Sequence, residues 1–192
     1  MRLKLLRQQA AAGDIVLLFG DESECLTHPY LPYVWAKRGE DLRVPAPGQA
    51  QRRALLGVLD ANRGELIVVT SARKRSHDFI TLLERLDHLY GPAPNRPARP
   101  VVLVLDNGPI HTSKATTRAL AERTAWLTVE WLPKYAPELN AIEHCWQDPK
   151  GNFLAHQTFA SIEELDAAIH QAIARRHQER QRQMCSVLPK AA

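Results

Sequence analysis

The stretch VVLVLDNGPIH at residues 101–111 runs five apolar residues directly into the carboxylate of Asp106. Its apolar part is too short for a globular helix and rich in β-branched side chains, so it predicts a strand that is buried on both faces. The Asn-Gly-Pro sequence that follows favours a turn, which ends the strand. Because a buried carboxylate is costly to desolvate, Asp106 should either cap the turn or the next helix, or bind a cation.

The same pattern occurs at residues 15–22, where the sequence IVLLFGDE predicts an apolar strand that ends in acid at Asp21. Two neighbouring strands that deliver carboxylates to one place would form a site for a divalent metal ion. This second occurrence favours the cation-binding interpretation of Asp106 over the simple turn cap.

A third acid, Glu143, follows a turn with two prolines, in a helix predicted to begin near Glu138. Leu139, Ile142 and Trp146 recur at helical spacing around it, so Glu143 borders an apolar face that should pack on the sheet. Glu143 is either a solvated surface glutamate or the third ligand of a metal site, since hard cations such as Mg²⁺ prefer carboxylate and water oxygens.

The composition is that of an ordinary globular protein of 192 residues, with a formal net charge of +4 and a pI of about 9.1. The mild excess of positive charge permits a polyanionic partner without requiring one. Three widely separated cysteines argue for a reducing compartment and against a disulfide framework or a zinc site. No apolar run reaches the roughly 18 residues of a membrane span, so a cytoplasmic location without a membrane partner is expected.

The periodicity along the chain predicts an α/β fold with a mixed central sheet flanked by helices, an antiparallel meander followed by crossover units. Ser76 and Ser161 are predicted to cap helices, the second with Glu164 in the capping-box position. The predicted elements are helix 2–12, strands 14–20, 33–36, 54–59 and 65–71, helix 77–90, strand 101–105, helix 112–123, strand 126–132, and two final helices, from 138 onward and over 161–183.

Four segments, taken in order, resemble the DDE transposases, and among them the bacterial insertion-sequence branch of the mariner superfamily. Asp106 and Glu143 are 37 positions apart, which fits the spacing of the last two acids in that superfamily. The four segments are Asp21-Glu22, WAKRG at residues 35–39, LDNGPIH at residues 105–111 and YAPELNAIE at residues 135–143.

This resemblance implies a ribonuclease-H-like fold and a metal-dependent enzyme that cleaves transposon ends and transfers the strands to target DNA. It assigns the catalytic and metal-binding triad to Asp21, Asp106 and Glu143, with two Mg²⁺ or Mn²⁺ ions as cofactors. The implied partners are transposon-end and target DNA, a second copy of the chain in an active homodimer, and a separate N-terminal helix-turn-helix polypeptide.

Residues 1–12 are expected to form an N-terminal helix or the remnant of a linker, and residues 13–192 a DDE catalytic domain that includes a basic C-terminal helix. Full members of the family carry helix-turn-helix modules before this domain, so the chain is interpreted as a truncated product, one frame of a frameshifted pair or a cloned domain. The family usually has proline where this chain has Ala141. Pro149 should break the helix after Glu143, with Asp148 as N-cap of the next helix.

For several residues near the acids, the sequence allows two alternative roles. Glu22 and Asn107 either order water around a metal or hold the turn, and His111 either contacts the scissile phosphate or makes a structural hydrogen bond at a helix start. Five basic residues are either contacts to DNA phosphates or solvated surface charges: Lys37, Arg38, Arg73, Lys74 and Arg75.

Two other functions remain open. The chain could be a transposase remnant that binds DNA or a partner without cutting, which the missing N-terminal modules and Pro149 favour and the three retained acids oppose. It could also be an unrelated metal-dependent phosphatase that uses Asp21 or Asp106, although that class gives no role to the segment around Glu143.

Overall fold

The computed structural model describes residues 2–31, 33–46, 48–94 and 99–187, and the side chains of residues 148, 149, 152 and 183–187 lie outside this description. Within the described residues, no helix combines the length and apolar character that a membrane span requires. The elements in chain order are α1 (Arg2–Ala12), β1 (Val16–Leu26), β2 (Arg52–Asp60), β3 (Leu66–Ser71), α2 (Ser76–Tyr90), β4 (Val101–Leu105), α3 (Pro109–Thr112), α4 (Lys114–Ala121), β5 (Leu127–Trp131), a 3-10 turn (Pro137–Leu139), α5 (Ile142–Asp148), a π-helical turn (Pro149–Phe153) and α6 (Ile162–Val187).

The five strands form one mixed sheet in the order β3-β2-β1-β4-β5. The hairpin of β2 and β3 is antiparallel as predicted, whereas β4 runs parallel to β1 on one side and to β5 on the other. Parallel neighbours need a crossover connection, and helices α2, α3 and α4 lie in those connections. The predicted mixed sheet flanked by helices is confirmed.

β1 is longer than the sequence predicts. The expected strand ends at residue 20, whereas β1 continues through Asp21 to Leu26. Its polar second half looks like a loop in the sequence, but only alternate residues there are buried, namely Ser23 and Cys25. A strand with one covered face accepts polar residues at the other positions, so Asp21 lies inside a strand instead of at its end.

The register between β1 and β4 determines where the first two acids lie. Phe19 is opposite Val104, and β4 ends one residue later. Continuing this parallel register by two positions brings Asp21 level with Asp106. The two carboxylates therefore belong to adjacent chain segments at the carboxyl end of β4.

The predicted strand at residues 33–36 is wrong, since the backbone there is irregular. The side chains of Tyr33 and Trp35 are fully exposed, at 107% and 104% of their reference areas. An aromatic, β-branched segment forms a strand only when a neighbouring strand supplies hydrogen bonds. The five strands of the sheet are formed by other segments, so residues 33–36 have no such neighbour in it. β2 begins at Arg52, two residues earlier than expected.

Two predicted helices are divided or shortened. The helix expected at 112–123 is split into α3 and α4 at Ser113, whose hydroxyl oxygen accepts a hydrogen bond from the Thr116 N–H at 3.1 Å and caps α4. The helix expected from residue 138 begins as a 3-10 turn, and α5 starts only at Ile142 because Asn140 has an extended backbone.

The helix ends after Glu143 follow the predicted chemistry in part. α5 ends at Asp148 and the π-helical turn begins at Pro149, so the predicted break is present, while the capping role of the Asp148 side chain lies outside the described residues. Ser161 caps α6 as predicted, accepting from the Glu164 N–H at 3.2 Å. The predicted cap at Ser76 is wrong, because Ser76 is the first helical residue of α2 and Arg75 occupies the cap position. The Arg75 N–H donates to the Asp78 carboxylate.

The chain divides into two compact units, one of residues 1–23 and 54–145 and one of residues 24–53 and 146–192. The first unit contains a core in which α2, α4 and the strands contribute buried side chains. This core includes Leu18, Leu56, Phe79, Leu82, Leu83, Leu86, Leu103 and Leu105. Cys25 is buried in the second unit and Cys145 in the first. Neither of these two cysteines is in a disulfide, and the side chain of Cys185 lies outside the description.

Replacement of Gly20 should test how closely β1 and β4 pack. A Cβ atom at this position would lie 2.7 Å from Cδ2 of the fully buried Leu105, so Gly20→Ala forces the core to rearrange. We expect a loss of roughly 1–3 kcal/mol in the free energy of unfolding, measured by urea denaturation. Gly151→Ala is the matched control because nothing lies within 4 Å of its added Cβ. Equal stability of the two variants would contradict this account of the packing.

Candidate active site

Asp21, Asp106 and Glu143 line one cavity of about 430 Å³ in the first compact unit. β1 supplies Asp21, the turn after β4 supplies Asp106, and the first turn of α5 supplies Glu143. The remaining wall consists of Asn107, Gly108, Asn140 and residues 132–137. Three carboxylates that are remote in the sequence thus face a common space.

Asp106 is held by its own turn. The Gly108 N–H donates a hydrogen bond to its Oδ1 atom at 2.9 Å, while the Asp106 side chain remains 51% exposed. A Cβ atom on Gly108 would lie 2.9 Å from the same oxygen, so glycine is needed for this close approach. Asp106 therefore caps the turn and also lines the cavity.

His111 lies behind this carboxylate, on α3, with only 1% of its surface exposed. Its Nδ1 atom is 2.7 Å from Asp106 Oδ1, and because a carboxylate oxygen can only accept, the ring nitrogen donates. Its Nε2 atom is 3.3 Å from Oε1 of Glu22, at an angle too poor for a hydrogen bond. The Phe79 ring contacts the imidazole edge-on at 4.6 Å between centroids. The histidine thus makes a structural hydrogen bond at a helix start.

The pKa of the Glu22 carboxyl lies above its ordinary value. Burial raises the pKa of its carboxyl, the nearby Asp106 carboxylate raises it further, and His111 and Lys74 lower it. The His111 ring therefore lies between Glu22 and Asp106, and its hydrogen bond is to Asp106.

Two asparagines connect the segments that carry the acids. The Asn107 amide donates to the Leu132 carbonyl at 2.7 Å and joins the ends of β4 and β5. The Asn140 amide donates to the Gly20 carbonyl at 3.0 Å, next to Asp21. Sequence reasoning missed Asn140; the available signal was a polar residue between Leu139 and Ile142 in an otherwise apolar stripe.

Glu143 is the second residue of α5 and is exposed to solvent. Ile142 before it is fully buried and Trp146 is 4% exposed, so the predicted apolar face of this helix exists, except that Leu139 lies on the surface. Buried positions recur at helical spacing along this short helix, so the packing of Ile142 sets the direction in which the Glu143 side chain leaves the helix.

Comparison with known proteins identifies the family. A sequence model of the family described as DDE superfamily endonuclease matches residues 16–166. The chain belongs to this family. It is also 30% identical over 162 residues to the Shigella sonnei "Insertion element IS630 uncharacterized 39 kDa protein"; the match covers 84% of the chain and 40% of that relative. The chain thus spans less than half the length of this relative, and the predicted resemblance to insertion-sequence DDE proteins is confirmed.

Solved structures of a transposase and of an integrase share the fold. The Mos1 transposase, in a paired-end complex with the left transposon end, matches 90% of the chain and 52% of its own length, with a TM-score of 0.64 at 18% identity. The integrase catalytic core domain of HTLV-2, in complex with magnesium, matches 82% of the chain and 83% of its own, with a TM-score of 0.52 at 16% identity. The predicted ribonuclease-H-like fold is confirmed.

The donor atoms of this DDE cavity fit a hard divalent cation. Among the described residues, no three or more His, Cys, Asp or Glu side chains are close enough together to hold a metal ion. The cavity nevertheless contains three carboxylates, and it is also lined by Asn140, whose buried amide oxygen has no hydrogen-bond partner. Carboxylate and amide oxygens are the ligands that Mg²⁺ and Mn²⁺ prefer, so the chemistry of the donor set suits the ions that the family suggests.

The basic residues named from the sequence lie in both units. Arg73, Lys74 and Arg75 are exposed in the turn before α2 in the first unit, and the Lys74 charge acts on Glu22. Lys37 and Arg38 are exposed in the irregular segment of the second unit. All five side chains are on the surface.

The raised pKa of Glu22 gives a pH-dependent prediction for metal-free protein. A carboxyl whose pKa is higher in the folded than in the unfolded state destabilises the folded protein when it ionises. The free energy of unfolding of wild type should therefore fall relative to that of Glu22→Gln as the pH rises above the ordinary pKa of glutamate. Urea unfolding of both proteins from about pH 4 to about pH 8 in EDTA measures the difference. Glu122→Gln, on the exposed side of α4's end, is the reference. The prediction would be contradicted if the free energies of unfolding of Glu22→Gln and wild type came closer together as the pH rises.

Proposed function

We propose that this chain is the catalytic domain of a transposase, which uses divalent cations to cleave DNA ends and to transfer the strands to target DNA. The observation that carries the proposal is that Asp21, Asp106 and Glu143 line one cavity in a chain of the DDE superfamily. These three residues are the proposed catalytic and metal-binding set.

Phosphoryl transfer on DNA requires neutralisation of the phosphate charge and activation of a weak nucleophile. Two Mg²⁺ or Mn²⁺ ions, when bound, supply both effects. The chain contributes the carboxylates that hold them: Asp21 from the rigid sheet, Asp106 from the turn after β4 and Glu143 from α5. Both described contacts of Asp106 use Oδ1, so Oδ2 is the atom proposed to face the cations and the DNA.

Glu22, Asn107 and His111 are proposed to position these acids. His111 fixes the plane of the Asp106 carboxylate from the buried side, and the Glu22 carboxyl lies on the opposite side of the imidazole ring. Asn107 holds the turn to the end of β5. Residues that orient ligands in this way typically change metal affinity or activity about 10-fold to 100-fold when removed.

The proposed partners are DNA, a second copy of the chain in the active state, and a separate helix-turn-helix polypeptide that recognises the transposon ends. Lys37, Arg38, Arg73, Lys74 and Arg75 are proposed contacts to DNA phosphates, because they are exposed cations in a chain with a net positive charge. We further propose that residues 1–12 are an N-terminal helix or the remnant of a linker, that residues 13–192 are the catalytic domain, and that the protein acts in the cytoplasm.

A second candidate function is a remnant that binds DNA or a partner transposase without cutting it. The short α5, which ends at Asp148 soon after Glu143, favours this alternative because few turns anchor the third acid. The experiment on Asp106 distinguishes the two functions.

Nicking of supercoiled plasmid should require Mg²⁺ or Mn²⁺ and should disappear in Asp106→Asn. Asparagine keeps the shape and an oxygen for the Gly108 N–H, but removes the negative charge that holds a cation. Mn²⁺ should raise the melting temperature of wild type by mass action and leave that of Asp106→Asn unchanged. In EDTA the variant should be at least as stable as wild type, since clustered carboxylates repel.

Asp14→Asn is the control, because this exposed aspartate precedes β1 at the end of the strand remote from Asp21. It should nick and respond to Mn²⁺ like wild type. Nicking by Asp106→Asn at the wild-type rate would exclude Asp106 from the site. A Mn²⁺-induced shift without nicking in wild type would favour the non-cutting remnant.

Binding of the isolated chain to DNA should be weak, show little sequence preference and fall steeply with salt, because counterion release drives phosphate contacts. Arg73→Ala should reduce the slope of log affinity against log salt by about 1, measured by fluorescence anisotropy on duplexes of unrelated sequence. Arg118→Ala, which removes an exposed arginine of α4 that pairs with Glu122 at the end of the same helix, should leave that slope unchanged. Strong preference for one short sequence would contradict this prediction.

A further inference from the structure

We propose that Asn140 is a positioning residue of the acidic cavity: its amide nitrogen holds β1 beside Asp21, and its amide oxygen binds a cation or cation-bound water in the cavity. The inference rests on the proposed function, because it assigns a role to Asn140 in the same site. It adds a residue that neither the carboxylate pattern nor the family assignment singles out.

The orientation of the Asn140 amide is fixed by its partner. The side chain is 97% buried, with a relative exposure of 3%, and its Nδ2 atom lies 3.0 Å from the Gly20 carbonyl oxygen. A carbonyl oxygen can only accept, so the atom facing it must be the NH₂ group. The amide oxygen Oδ1 is therefore directed away from Gly20.

Oδ1 is buried and has no hydrogen-bond partner among the described residues. An unpaired acceptor in such a place destabilises a fold, and a water molecule or an ion is a partner that removes this cost. Asn140 lines the cavity that contains Asp21, Asp106 and Glu143, where the ligand with matching chemistry is a cation or its bound water. A divalent ion accepts amide oxygens as ligands, and water donates to them.

Asn140 also joins the two chain segments that carry Asp21 and Glu143. Its backbone carbonyl accepts from the Glu143 N–H at 3.2 Å, so it belongs to the turn that starts α5. Its side chain reaches Gly20, which is the residue before Asp21 and packs closely against Leu105. Asn140 therefore links the start of α5 to β1 beside Asp21, and its removal should loosen the position of Glu143 relative to Asp21.

The test compares wild type with Asn140→Ala by isothermal titration with MnCl₂ and by plasmid nicking. We expect the Kd for Mn²⁺ to rise about tenfold or more, and kcat for nicking to fall while KM for plasmid is unchanged, because no proposed DNA contact is removed. Asn62→Ala is the matched control: Asn62 also donates its amide to a backbone carbonyl, that of Ala10, but does not line the acidic cavity. It should lower stability without changing the Kd for Mn²⁺.

A second variant separates the donor from the acceptor. Asn140→Asp keeps the volume and an acceptor oxygen but, when ionised, has no donor for Gly20. Mn²⁺ binding should persist because a negative charge is added, whereas kcat should fall about tenfold or more because Asp21 and Glu143 are no longer held together. This variant carries the test if Asn140→Ala does not fold, and an unchanged kcat would overturn the positioning role.

Failure of this inference is distinguishable from failure of the proposed function. If Asp106→Asn abolishes Mn²⁺ binding while Asn140→Ala binds as tightly as wild type, Asn140 has no role in the site and the proposed function stands. If wild type itself binds no Mn²⁺ and does not nick DNA, both proposals are overturned.

Discussion

The parallel pairing of β1 with β4 is the constraint on which the rest of the site depends. Its register brings Asp21 level with Asp106, although 85 positions separate them in the chain. Gly20 leaves room for Leu105 at the last step of this pairing, so the two strands meet without a gap just before the acids. The relative position of the two carboxylates is therefore a property of the sheet, which side-chain motion alone cannot undo.

Bringing carboxylates together has an electrostatic cost that the structure offsets in part. Glu22 is buried close to Asp106, and both effects disfavour its ionised form. His111 lies between the two acids and donates to one of them, and Lys74 adds a positive charge at the surface. The repulsion between these carboxylates is thus reduced in the folded chain, and the cluster still has the negative charge that would attract a divalent cation.

The third acid is held by a different and weaker arrangement. Glu143 belongs to a seven-residue helix that begins after a 3-10 turn and ends at Asp148. Burial of Ile142 and the hydrogen bond from Asn140 to Gly20 are the contacts that fix this helix start to the sheet. Two acids therefore lie on or beside the sheet, and the third lies on a short helix.

The sequence by itself determined the sheet class, the hairpin, the buried strand before Asp106 and the family, because periodic burial and local motifs leave direct traces in residue order. It did not determine that β1 continues past Asp21, that residues 33–36 form no strand, or that Ser113 divides a helix, because polar, aromatic and hydroxyl side chains suit more than one local structure. Only the tertiary structure showed His111 between Glu22 and Asp106, and Asn140 on Gly20. These contacts join residues far apart in the chain, and their geometry follows from strand register and helix packing, which no local pattern encodes.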